Sequence, residues 1–87
     1  MRQAELPDLK NRVERLVKES AVANDVQGVE VGADVDEYGD HFLIVRLKTA
    51  KPDNLRWARI SSLVRNIEDE VALLDDRFPL VWLAEAA

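Results

Sequence analysis

No cysteine occurs in the chain, which removes disulfides, zinc–thiolate sites and cysteine nucleophiles at once. His41 is the only histidine, so a transition-metal site would have carboxylates alone as co-ligands. No serine has a neighbouring histidine or a nucleophile-elbow pattern, and Ser61-Ser62 fall inside a helical segment. The start, MRQAELPDLKNRVERL, lacks an apolar signal core and any run long enough to cross a bilayer. A cytoplasmic location without membrane contact is the expectation. A surplus of basic charge is also missing. With 12 Lys and Arg against 17 Asp and Glu the net charge is −5, which disfavours phosphate-backbone binding.

What is present is a chain of 87 residues, 47% of them hydrophobic. That suffices for one core without a metal or a disulfide, but not for a core and a deep substrate pocket as well. We therefore expect a single domain over residues 1–87, no enzyme, and no cofactor.

Charge is segregated along the chain. Asp25, Glu30, Asp34, Asp36, Glu37 and Asp40 carry residues 25–45 with no basic partner. Arg46, Lys48, Lys51, Arg56, Arg59 and Arg65 then dominate 46–66, and 67–87 is acidic again. Neighbouring elements that neutralise each other account for this pattern, and a dipolar surface that steers a charged partner is the sharper alternative.

Leu9, Val13, Leu16, Val17 and Ser20 recur at helical spacing, with Pro7 in the first turn, and predict a helix over about 7–23. Val29, Val31, Ala33 and Val35 alternate with Glu30, Gly32, Asp34 and Asp36, the period of a strand. Glu37-Tyr38-Gly39 reads as a three-residue hairpin loop closed by a glycine in the left-handed region. That loop sets Asp36 opposite Asp40, Val35 opposite His41, Ala33 opposite Leu43, Val31 opposite Val45 and Val29 opposite Leu47. All eight apolar-face residues, Val35 and His41 included, share the core side. On the other side Glu30 meets Arg46, Gly32 meets Ile44 and Asp34 meets Phe42.

Strand His41-Phe42-Leu43-Ile44-Val45-Arg46-Leu47 is therefore apolar on both faces, which suits a central strand. Asp53 or Asn54 is the expected N-cap of a second helix running to about Leu74, with Ile60, Leu63, Val64, Ile67, Val71 and Leu74 inward and Trp57 on or beside that stripe. Asp75-Asp76-Arg77 turns the chain, and 78–83 forms a third strand with Pro79 at an edge or start. Residues 84–87 read as a short tail.

The order is α-β-β-α-β. A right-handed crossover places the third strand parallel to the second, giving an α+β fold with a three-stranded mixed sheet of order 1-2-3 and both helices on one face. This arrangement resembles a ferredoxin-like fold lacking its first strand, as architecture only. The uncovered side would show Phe42, Ile44 and either Leu80 with Trp82 or Val81 with Leu83.

The acidic hairpin fails as a calcium loop, because Tyr38 stands at the fifth position and Val45 where a bidentate Glu is needed. It reads as a solvated turn. Glu68-Asp69-Glu70 and Asp75-Asp76 read as solvated charge. Trp57, Arg56 and Arg59 could form a recognition cluster or cap the core.

The leading expectation is a protein-interaction module that covers its open sheet face by forming a homodimer or by binding a larger protein. Phe42, Ile44, Leu80 and Trp82 would make the contact, with Glu30, Arg46 and Lys48 at its rim. The alternative is an acidic, antitoxin-like partner of a basic protein, using the hairpin and residues 68–76. RNA-binding and metal-responsive regulatory readings rank below both.

Overall fold

The computed structural model describes residues 2–50 and 57–86. Its elements run α1 (Leu6–Lys18), β1 (Val26–Val35), β2 (His41–Thr49), α2 (Trp57–Leu74) and β3 (Phe78–Glu85). The sheet order is β1-β2-β3, with β1 antiparallel and β3 parallel to β2. This is the α+β, two-layer arrangement expected from the sequence. The anticipated caps Asp53 and Asn54, and Arg56, lie outside the described residues.

One core holds the two layers together. Leu9, Val13 and Val17 from α1 and Ile60, Leu63, Val64, Ile67 and Val71 from α2 meet Val29, Leu43, Val45 and Leu47 of the sheet. Both helices thus cover the same face. Each of these side chains stabilises the fold by roughly 1.5–3 kcal/mol on burial.

The hairpin register follows the three-residue loop. Val35 pairs with His41, Ala33 with Leu43, Val31 with Val45 and Val29 with Leu47. Gly39 adopts φ +84°, and its N–H donates to the Asp36 carbonyl at 3.1 Å. The Asp36 carboxylate accepts from the N–H groups of Tyr38 and Asp40, each at 2.9 Å, so this acid builds the turn.

The structure departs from the sequence reading at several positions. Helix α1 stops at Lys18, and Ser20 closes it by donating from its hydroxyl to the Val17 carbonyl at 2.7 Å. The turn that follows drops Val22 into the core, fully buried. Strand β1 starts earlier, at Val26, with a bulge between Val26 and Gly28. The hairpin end runs past the helical layer, so Ala33, Val35 and His41 lie on the core side of the sheet yet are exposed. Trp57, read as on or beside the apolar stripe, is 67% exposed. Residues 84 and 85 are strand: Ala84 pairs with Lys48, Glu85 with Thr49, and the Ala86 N–H donates to the Thr49 carbonyl at 2.8 Å.

Asp75 is not solvated charge either. Its side chain is 0% exposed and accepts from the Ala4 N–H, the Arg77 N–H and the Arg77 guanidinium. Asp76 is tied to the same N-terminal segment through the Arg2 N–H at 2.6 Å.

Candidate functional site

Strand β2 is central, and the helices cover one of its two faces. The pairings with β1 and β3 fix which side chains share the other face. Along β2 these are Phe42, Ile44, Arg46 and Lys48. Facing the same way are Asp34, Gly32, Glu30 and Gly28 from β1 and Phe78, Leu80, Trp82 and Ala84 from β3.

Parity settles what the sequence left open about β3. Val81 and Leu83 pack against the core, whereas Phe78, Leu80 and Trp82 are 63%, 42% and 50% exposed. Beside them Phe42 and Ile44 are half-buried. The structure therefore brings Phe42, Ile44, Leu80 and Trp82 into one apolar surface, as the sequence reading placed them. It adds Phe78, which that reading did not include. The signal was available: Phe78 has the parity of Leu80 and Trp82, but Pro79 marked it only as a strand start.

Two features keep the patch open. Gly32 is level with Ile44, and a Cβ added there would meet nothing within 4 Å. No helix crosses this face to shield it, since the described helices both join the opposite layer.

Charged residues border the patch along one end. The Arg46 guanidinium lies 5.6 Å from the centre of the Trp82 ring, a cation–π contact across the open face. Glu30 answers both cations, Lys48 Nζ at 2.5 Å and Arg46 Nη1 at 3.7 Å. The Lys48 ammonium hydrogen-bonded to this carboxylate, reinforced by its charge, holds the Glu30 carboxyl below the usual range. Glu30, Arg46 and Lys48 thus sit together at one edge of the patch.

Other candidate residues are dispersed. His41 lies exposed at the hairpin end. Among the described residues no group of three His, Cys, Asp or Glu side chains is placed to hold a metal ion. Ser61 and Ser62 lie on α2, remote in sequence position from any imidazole. A groove of about 410 Å³ between the helices is lined by Ala4, Asp8, Leu9, Asn11, Arg12, Arg15 and Leu74. It contains no nucleophile paired with a base, and Arg12 there is bound to Glu70 at 2.9 Å. Arg59 reaches toward Asp25 and the Ala21 carbonyl, not toward the hairpin.

The acidic surface expected over 68–76 is partly consumed within the fold. Glu70 pairs with Arg12, Asp75 with Arg77, and Asp76 with Arg2. Among the described residues no helix is long and apolar enough to cross a membrane.

No protein-family model matches the chain, and no curated protein matches it. Among solved structures, MamM V260R is similar with a TM-score of 0.51 at 15% identity, over 97% of this chain and 100% of that one. MamM CTD D249N gives a TM-score of 0.47 at 12% identity, over 98% of this chain and 95% of that one. The likeness to the first is one of fold, and it spans the whole α-β-β-α-β order described above.

Proposed function

We propose that this chain is a non-enzymatic protein-interaction module whose open sheet face is covered by another protein surface. The observation that carries the reading is the contiguous exposure of Phe78, Leu80 and Trp82 beside Phe42 and Ile44. Soluble monomers rarely leave an apolar patch larger than a few hundred Å² without such a use. A tryptophan flanked by arginine at the patch fits the composition of binding hot spots.

The acidic-partner reading draws less support. Its second patch is engaged in internal ion pairs, and Asp36 is occupied in shaping the hairpin turn.

Sedimentation and solubility of the wild type and of Ile44→Glu test the reading. The wild type should associate, or precipitate as salt rises, while Ile44→Glu stays folded, monomeric and soluble. Two monomers of equal solubility would contradict it.

A further inference from the structure

We infer that the occupant of the open face is a second copy of this chain, laid face to face and antiparallel, so that Asp34 of each copy meets Lys48 of the other. This inference rests on the reading above and makes it specific.

The sheet register arranges the outer face in rows. Gly28, Lys48 and Ala84 form the first, and Glu30, Arg46 and Trp82 the second. Gly32, Ile44 and Leu80 form the third, and Asp34, Phe42 and Phe78 the fourth. Two sheets packed with their strands within about 30° of each other keep this order in the interface. Identical faces can then be related by an in-plane two-fold axis along the strands or by one across them.

An axis along the strands lays each row on itself. Arg46 would oppose Arg46 and Lys48 would oppose Lys48 across β2, and like charges facing each other are repelled. An axis across the strands, between the second and third rows, reverses the order and removes that conflict.

The reversed order is complementary position by position. On β1, Asp34 falls over the other copy's Gly28 and Glu30 over its Gly32. Neither position has a side chain of its own: a Cβ at Gly32 would meet nothing within 4 Å, and one at Gly28 would meet only the Lys48 stem at 3.8 Å. Next to Gly28 stands Lys48, which places the Asp34 carboxylate against an ammonium group. On β3 the large Phe78 falls over the small Ala84, and Trp82 over Leu80. On β2, Arg46 and Lys48 lie over Ile44 and Phe42, where their aliphatic stems add to the apolar contact and their charged heads reach the rim.

The size is close to what a specific interface needs. Three strands about 4.8 Å apart and about 26 Å long offer roughly 750 Å² of flat sheet over two copies, and side-chain relief raises the buried total to on the order of the ~1,000 Å² that a specific interface requires.

The test is a charge exchange read by sedimentation equilibrium. Asp34→Lys and Lys48→Asp should each weaken the dimer about tenfold, and the double variant Asp34→Lys/Lys48→Asp should recover most of that loss. Circular dichroism melts confirm that each variant folds. Because Lys48→Asp also removes the internal pair with Glu30, the decisive value is the recovery. A wild type that dimerises, loses the dimer in Ile44→Glu, yet shows no recovery in the double variant overturns this geometry and leaves the open-face reading standing. A wild type that is monomeric overturns the second copy as occupant.

Discussion

Asp75 and Arg77 form a buried bidentate ion pair, with Arg77 Nη2 at 2.7 Å from Oδ2 and Nε at 3.0 Å from Oδ1 of Asp75. The same guanidinium donates to the Ala4 carbonyl, and Asp75 accepts from the Ala4 N–H at 2.9 Å. Two residues at the turn before β3 therefore clasp the segment that leads into α1. Breaking one side of such a pair leaves a charge uncompensated. Asp75→Ala should destabilise the fold by about 3 kcal/mol or more, measured by urea denaturation, and an effect under ~1 kcal/mol would refute the clasp.

The pair also sets an acid limit. Hydrogen bonds from Arg77, acting against burial, bring the Asp75 carboxyl from 3.8 down to about 2. A carboxyl depressed on folding stabilises above its unfolded value and loses that contribution as pH falls through the folded one. About 2 kcal/mol should therefore disappear between about pH 4 and pH 2. Urea midpoints across that range should fall more steeply for wild type than for Asp75→Asn, which lacks the titrating group.

Adjacent residues of β2 should respond in opposite ways. Leu43 is fully buried, and Leu43→Ala should cost about 2–5 kcal/mol of stability. Ile44 points to the open face, so Ile44→Ala should cost the monomer well under that, about 1 kcal/mol, and should act on association instead. Equal losses of stability would show that the outer face is covered within the chain.

The glycines separate turn chemistry from surface shape. Gly39→Ala forces a Cβ into the left-handed region at φ +84° and should destabilise by about 1 kcal/mol. Gly32→Ala meets no neighbour and should be neutral or slightly stabilising in the monomer. Thermal melts of the two variants give the comparison.

How much of this was legible in the sequence differs from element to element. The hairpin register was readable because loop length and a left-handed glycine determine it locally. Which face of β3 turns inward was not, since it depends on pairing Ile44 with Leu80 across an intervening helix. The end of α1 was missed because Ser20 keeps the helical spacing of Leu9, Val13, Leu16 and Val17 although it closes the helix, and Val22, off that spacing, reaches the core from a turn. Asp75 looked like any surface acid, and its partner Ala4 lies 71 residues away in the chain. That Phe42 and Ile44 face away from the core was readable because alternation along β2 separates them from Leu43, Val45 and Leu47. Phe78 shares the parity of Leu80 and Trp82 and escaped because Pro79 marked it only as a strand start.

Coverage of the Ile44 side chain in solution separates a paired sheet face from an open one. The chain has three isoleucines, and Ile60 and Ile67 are fully buried in the core, so the methyl groups supply their own reference. Relaxation by a soluble paramagnetic agent reports the exposure of each methyl, with Leu73, 67% exposed, as the open standard. At high protein concentration the Ile44 methyl should be shielded nearly as well as those of Ile60 and Ile67, and dilution should expose it. An Ile44 methyl as accessible as Leu73 at every concentration would contradict the account.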